Sequence, residues 1–465
     1  MMQGEVMKIV VCVRQGSDGE ISPFDACAYE EALKVKGASV TLLSMGPPKT
    51  KDFLSGLTRL GAERAVLLCD NAFAGADTLA TSYTLSLAIK KLAPDLVLCG
   101  RKTVDGDTAQ VGPELSVMCG LPLVTEVMSL DCKENEFSCT DRENNEHTMP
   151  YPALLTVERI NTLRLPSIRS KTSPVTVLTA AELGADTSKT GLAGSPTKVI
   201  KTFENDTDRR HCEFVSVESL NKIIHESLKK DTVYSEQSKC ETPLKKVWCV
   251  GDAPCEMGET VSDDITVIPL LSADEICERI KNEKPNAVLW GSDSISKRIA
   301  ASVAAKLKIG LCADCVSLET DGKDLFMYRP AFSGSIIAKI RSTSFVKMAT
   351  VRTSEPEQKD VIIGVGMGAK DNLQIAESLA KKYGGELAAT RPMVDRDCMP
   401  YSMQVGLTGK TVSPKVYIAL GISGAVHHIA GIRKSGVIIA VNSDKNAPIF
   451  NYADYGIVTE IKNIL

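Results

Sequence analysis

Near-unbroken apolar runs, each followed by a helix-patterned stretch, restrict this chain more than any other feature. KIVVCV (8–13), SVTLLSM (39–45), RAVLLC (64–69) and DLVLCG (95–100) form the first such series, and LVTEV (123–127) adds a fifth run. A strand with one wet face alternates apolar and polar residues, whereas a strand buried on both faces does not. These runs therefore read as parallel strands covered by helices, which AYEEALKVKG (28–37) and ADTLATSYTLSLAIKKLA (76–93) supply. The expected fold class is α/β with mainly parallel, doubly wound sheets.

The chain repeats this grammar three times. The polar stretch 131–150 reads as a surface hairpin and YPALLTVE (151–158) as a strand. Periodicity fades over 161–202, a length that implies function or wrapping of a neighbour. A linker falls at 235–245. A second series runs through KVWCVG (246–251), DITVIPL (264–270), NAVLWGS (286–292) and a helix over 296–308, then closes on the more β-like DLFMYRPAFSGSIIAKI and SFVKMATVR. SEPEQKD (354–360) marks another boundary before a third series from Val361. The expected domains are 6–234, 245–353 and 360–465, the last Rossmann-like; 465 residues exceed what one core supports.

Composition excludes several classes. A net charge of −4 gives no footprint for nucleic acid. No apolar run reaches the roughly 18 residues of a membrane span, and the first residues enter a strand directly, so neither a span nor a signal peptide is expected. Fifteen scattered cysteines, many inside apolar strands, read as free thiols in a reducing cytoplasm. Cys312-x-x-Cys315 stands alone without the second pair that zinc or an iron–sulfur cluster needs, so no metal is expected.

Each strand of the third series ends in residues suited to a ligand: GMG after VIIGV, Thr390-Arg391 after GGELAA, GISGA after VYIAL, and Asn442 after VIIAV. Ligands of open parallel sheets lie beyond that edge. Familiar motifs fail there. VGLTGKT lacks the first P-loop glycine, having Gln404, and precedes its strand. GVGMG is followed by Arg391 at the second strand instead of an acid for a ribose. GISGA misses the last glycine of a hydrolase elbow, with Ser423 and His428 in the wrong order. His427 and His428 stand about 100° apart on a helix, so one of them faces a site at most. Near the N-terminus, Asp107-Thr108-Ala109-Gln110 fits a capping box, with Asp107 as the N-cap.

The stretch MQVGLTGKTVSPKVYIALGISGAVHHIAG, continued by IIAVNSDKNAPIFNYADYGIVTE, closely resembles the FAD domain of the electron transfer flavoprotein α subunit. GRKTVDGDTAQVGPELS and GLAGSPTKVIKTF resemble the β subunit, so the chain looks like a β–α fusion joined near residue 240. The middle series resembles a shortened first domain of the α subunit. The resemblance implies FAD at Thr390, Arg391, Val405, Gly406, Leu407 and Thr408, with phosphates at Ser423, Gly424, Ala425, Val426 and His427. It brings His428 to the flavin's pyrimidine edge, and Asn442, Glu460 and Ile461 to the adenosine. Met367, His427 and Leu407 depart from the family pattern.

For a second nucleotide, FAD or AMP, the resemblance implies Cys12, Ser22, Asp25, Met45, Asp77, Thr78, Thr81, Gly100, Thr103, Asp105, Gly106, Asp107, Thr108, Gln110 and Val111. VDGDTAQVGPE is similar to members that oxidise NADH, some by electron bifurcation, although Glu126 replaces an expected aromatic residue. NTLRLPSIRSKT resembles the loop that docks partners, with Leu165 at its tip and Arg164 and Arg169 beside it. The implied partner is a flavin-dependent dehydrogenase or reductase, for instance of acyl-CoA dehydrogenase type. Ferredoxin or flavodoxin would be further carriers in an anaerobic bacterial metabolism. No residue is assigned a catalytic role.

Overall fold

The computed structural model describes residues 6–16, 19–103, 106–204, 210–229, 240–331, 336–352, 359–396, 398–406, 410, 412–433 and 435–464. The chain forms two compact units. The first and middle series fall together in one, comprising residues 1–202, 238–332 and 337–353; the segment from 203 to 237 belongs with the third series in the other. No helix among the described residues is long and apolar enough to cross a membrane.

The first unit is built on strands β1 (Lys8–Cys12), β2 (Ser39–Met45), β3 (Arg64–Leu68), β4 (Leu96–Gly100), β5 (Leu123–Cys132), β6 (Glu136–Asp141), β7 (Glu146–Pro150), β8 (Ala153–Val157) and β9 (Val175–Leu178), in the order β7-β6-β5-β8-β4-β1-β2-β3-β9. All pair in parallel except β6, which is antiparallel to both β5 and β7. Helices α1 (Pro23–Lys34), α2 (Thr50–Thr58), α3 (Thr78–Leu92) and α4 (Val111–Cys119) cross between them. Ile9, Leu42, Leu67 and Leu98 are fully buried, as strands covered on both faces require. The order reverses between β1 and β4, so the loops after those strands diverge to opposite faces and leave a crevice.

A second, parallel sheet of this unit runs Ile265–Ile268, Val247–Val250, Ala287–Trp290, Lys347–Val351, Leu311–Cys315. The irregular stretch after 161 supplies β9 and then Thr197–Glu204, the edge of a four-stranded sheet with strands from 317–342.

The second unit holds a six-stranded parallel sheet, ordered Glu213–Phe214, Tyr455–Val458, Val437–Asn442, Val416–Leu420, Val361–Val365, Glu386–Ala389. Its crevice lies between Val361–Val365 and Val416–Leu420, where the order reverses. The arm preceding the linker completes this unit. Leu220, Ile223 and Ile224 of the helix Leu220–Lys229 enter the core beside Val361, Leu379 and Ile418. The Arg210 guanidinium pairs with Asp454 and donates to the carbonyls of Arg433, Ser435 and Gly436.

Ile224 is fully buried there. Ile224→Ala is therefore expected to destabilise this unit by about 2–5 kcal/mol, read as a lower urea midpoint by far-UV circular dichroism. An unchanged midpoint would separate the arm from the core.

Candidate functional site

The crevice of the first unit opens into a cavity of about 1620 Å³, larger than the roughly 300–1,000 Å³ that suffices for a drug-sized ligand. Of the residues expected around a second nucleotide, Cys12, Asp25, Met45, Asp77, Thr78, Thr81, Gly100, Thr103, Gly106, Thr108, Gln110 and Val111 line it. Ser22 is buried and Asp107 turned to Lys102, so neither is part of the lining; Asp105 lies outside the described residues. The middle series contributes a wall that the sequence did not announce: Leu311, Cys312, Arg329 and Ile340. Only packing of the second series on the first brings these residues to the crevice, so no local signal marks them.

The lining is positive although the chain is acidic. Arg14, Lys49, Arg101, Lys102, Lys198 and Arg329 share the lining with three carboxylates, Asp25, Asp70 and Asp77, while Arg101 also pairs with Glu126 and Glu158 and Lys102 with Asp107 outside it. A concave surface with that surplus attracts anions. Arg329 is 7% exposed and donates from its terminal nitrogen to the Gly106 carbonyl at 2.6 Å. Its Nε has no hydrogen-bond partner among the described residues. A buried donor left over at the wall fits an anionic ligand such as a nucleotide phosphate.

Local structure explains the loops. Asp77 caps α3 by accepting from the Ala80 N–H at 3.0 Å, and its other oxygen accepts from the Thr197 N–H and hydroxyl at 3.0 and 2.6 Å. One carboxylate thus ties the β-subunit-like GLAGSPT stretch to the rim. The capping box expected at Asp107 is not formed. Asp107 and Ala109 adopt φ of +50° and +54°, Asp107 pairs with Lys102 at 2.6 Å, and α4 starts only at Val111. Left-handed backbone at two residues with Cβ atoms costs of order 1 kcal/mol each and clusters at ligand-binding loops.

In the second unit the strand ends bring Thr390, Val405, Gly406, Ser423, Asn442 and Glu460 to one edge of the sheet. Thr390 N–H bonds the Val365 carbonyl, Val405 N–H the Ala389 carbonyl, and Gly421 N–H the Val441 carbonyl. The helix Val426–Ile432 opens at this edge with Ala425 at its N-cap, so its first N–H groups point outward. Gly424 is fixed by backbone crowding: at φ +91° an added Cβ would sit 2.2 Å from the Ile449 nitrogen. Ser423, Ala425 and Val426 are exposed, Val426 by 68%. Asn442 donates to the Ile422 carbonyl at 2.9 Å, while Ile461 is buried. Arg391 and Glu460 are exposed and paired within their own segments, with Asp395 at 2.9 Å and Lys462 at 2.5 Å. Leu407 and Thr408 lie outside the described residues, as does the side chain of His427. A strand edge at a switch point where a helix begins fits the phosphates of a dinucleotide.

His428 has protein partners at both ring nitrogens. It is 5% exposed, its ring enclosed between Val405 and Tyr417. Its Nδ1 donates to the Val405 carbonyl at 3.0 Å, so Nε2 is the acceptor of the Tyr417 hydroxyl at 3.1 Å. Both nitrogens are therefore used, and Ser423 gains no base from it. The pair needs Gly364, where a Cβ would meet the Tyr417 oxygen at 1.9 Å. Burial, partly countered by the Val405 hydrogen bond, lowers the imidazole to about 4.

The loop Asn161–Thr172 presents Leu165 at 90% and Ile168 at 99% exposure; Ile168 was not singled out in the sequence. Arg164 is not a free companion of Leu165. It forks onto Glu30, with NH2–Oε1 2.7 Å and Nε–Oε2 3.0 Å, while its N–H donates to the same carboxylate. Burial raises the Glu30 carboxyl, but these hydrogen bonds outweigh it and hold it below the usual range. Arg164 anchors the loop; Arg169 is exposed.

A histidine held neutral by the fold must charge on unfolding at low pH. His428 therefore contributes stability that is present above about pH 6.5 and lost as pH falls toward 4, on the order of 3 kcal/mol. His428→Gln is expected to flatten that slope in urea titrations at successive pH values. A slope equal to wild type would contradict the buried, neutral ring.

Comparison with known proteins bears on the whole chain. The electron transfer flavoprotein domain matches residues 9–183 and 267–377, and the electron transfer flavoprotein FAD-binding domain matches 357–433. The chain is 39% identical over 209 residues to the electron transfer flavoprotein subunit beta of Thermoanaerobacterium thermosaccharolyticum, spanning 42% of this chain and 80% of that protein. It is 35% identical over 250 residues to subunit alpha of the same organism, spanning 42% and 76%. It is 36% identical over 236 residues to protein FixB of Clostridium saccharobutylicum, spanning 41% and 71%. With one switch-point crevice in each unit and likeness to both subunits, the chain belongs to the electron transfer flavoprotein family as a β–α fusion.

Proposed function

We propose that this electron transfer flavoprotein holds FAD at the strand edge of its second unit and a second FAD in the cavity of its first. In this reading it passes electrons from NADH to a partner flavin dehydrogenase. The cavity carries the proposal: it is large, positive, at a switch point, and closed by strained, glycine-containing backbone at 106–110. Its volume exceeds what a mononucleotide alone requires, which favours FAD over AMP; the likeness of VDGDTAQVGPE to NADH-oxidising members points the same way. FAD, when bound, supplies one- and two-electron transfer. The chain's own residues would position it: the N–H groups of 425–427 and Thr390 in the second unit, and Thr78, Gln110 and Arg329 in the first.

The partner would engage the loop carrying Leu165 and Ile168. Two bare aliphatic side chains on a loop pinned by Arg164–Glu30 form an anchor whose ordering is already accounted for within the free protein. Splitting of NADH electrons between that partner and a ferredoxin or flavodoxin is the finer form of this reading. The alternative is a single-flavin shuttle with AMP in the cavity, favoured if the large cavity is partly filled by water.

Anaerobic NADH is expected to bleach the flavin absorbance of the purified chain, and acid release is expected to yield FAD without AMP. One FAD plus one AMP with no bleaching would select the alternative.

Leu165→Ala and Ile168→Ala should each weaken partner engagement by about 1.5–3 kcal/mol, raising the KM for the partner roughly ten- to a hundredfold. Flavin content and unfolding midpoint should stay unchanged. A fall in the midpoint with normal partner kinetics would assign both side chains to packing.

A further inference from the structure

Glu114 lies on the first turn of α4, 1% exposed, beneath the first unit's cavity. Two hydroxyls hold its carboxyl: Ser82 Oγ donates to Oε2 at 2.8 Å, and Thr78 Oγ1 lies 3.0 Å from Oε1. Thr78 Oγ1 is also 2.9 Å from Gln110 Oε1, and Gln110 Nε2 donates to the Leu311 carbonyl at 3.3 Å. That last contact fixes the amide, because turning it over would set two acceptor oxygens against each other. Thr78 has one hydroxyl proton, yet an ionised Glu114 would give it two acceptors to satisfy. A protonated Glu114 resolves the count, donating to Thr78, which donates to Gln110, which donates to Leu311.

We infer that Glu114 is a protonated positioning residue whose O–H sets the direction of a hydrogen-bond chain through Thr78 and Gln110 to Leu311, and so fixes the polar pattern that the cavity floor shows to an anionic nucleotide. Thr78, Gln110 and Leu311 all line the cavity. In this direction the part of the floor formed by Thr78, Gln110 and Leu311 is uncharged, and the Gln110 amide has a second N–H beyond the one given to Leu311. Ionisation would turn Thr78 back to Glu114 and set a negative charge beneath the phosphates. The start of α4 favours a carboxylate, but the cost of burying an unpaired charge is larger. Burial, against the two hydroxyl hydrogen bonds and with help from Asp77, pushes the acid up to about 8. Of the other charges on or beside the elements packed around α4, Glu126 pairs with Arg101 and Ser294, Glu158 with Arg101, Lys297 with Asp314 and Lys306 with Asp274. Lys91 donates to the Glu182 carbonyl, Lys90 acts on Cys119 at the far end of α4, and Arg298 shares the helix Ser294–Leu307 with Lys297.

The inference rests on the nucleotide reading of the cavity, so the test has two arms. AMP and FAD affinities of the full chain are measured between about pH 6.5 and 9.5. Affinity is expected to hold below pH 8 and to fall above it; Glu114→Leu is expected to bind roughly tenfold more weakly throughout. Glu114→Gln, which can donate to Thr78 and accept from Ser82, should rescue binding and remove the fall. Equal loss in both variants would overturn the inference. In the second arm, difference infrared spectra of the nucleotide-free chain should show a protonated-carboxyl band at pH 7 that titrates near pH 8 and is missing from Glu114→Gln. Its absence overturns the inference whatever binds. Its presence in a chain that binds neither AMP nor FAD would retain the protonation and discard the nucleotide reading.

Discussion

A parallel strand buried on both faces is mostly apolar along its length, so its ligand-facing polar and glycine residues gather at its end, and this constraint organises the molecule. Ile9, Leu98, Ile363 and Ile418 are fully buried, and the groups able to meet a ligand begin within a residue or two of where their strands stop. Because the strands are parallel, their carboxyl ends share one edge. Because the order reverses once in each main sheet, each edge has one crevice where adjacent loops part. The polar chemistry at each crevice is thus a consequence of topology before it is a matter of any single side chain.

What fills each crevice differs. In the second unit the loops crowd one another so closely that backbone meets backbone at Gly424, leaving N–H groups as the main polar offering. In the first unit a wall from two further sheets lines the crevice: Leu311 and Cys312 from the second, Arg329 and Ile340 from the four-stranded one. There cations outnumber carboxylates in the lining of a chain whose net charge is −4. Asp77, Arg101 and Asp107 are spent on holding the rim together, while Arg329 retains an unmet donor.

The strands were legible because double burial leaves an unbroken apolar run, and the site edge followed from where those runs stop. Other features were hidden for physical reasons. Asp107 satisfies the letter pattern of a capping box, but its left-handed backbone breaks the helix before α4, and φ is not written in residue type for aspartate. His428 follows a glycine-rich turn that points to function, yet its ring is claimed by Tyr417 on a neighbouring strand, a partner set by strand geometry. Leu311 and Arg329 lie some two hundred residues from the crevice they wall, so only packing could reveal them. The stretch after 161 lacked periodicity because its strands are edges and its turns serve Asp77.

If each unit binds its own nucleotide at its own switch point, the full chain carries two. Native mass spectrometry of the full chain tests this directly. The predicted mass exceeds that of the polypeptide by two nucleotides, and Gly424→Val, which crowds Ile449 in the second unit, should remove one and leave the other. A native chain carrying at most one nucleotide, or a Gly424→Val chain that loses both while still folded, would contradict it.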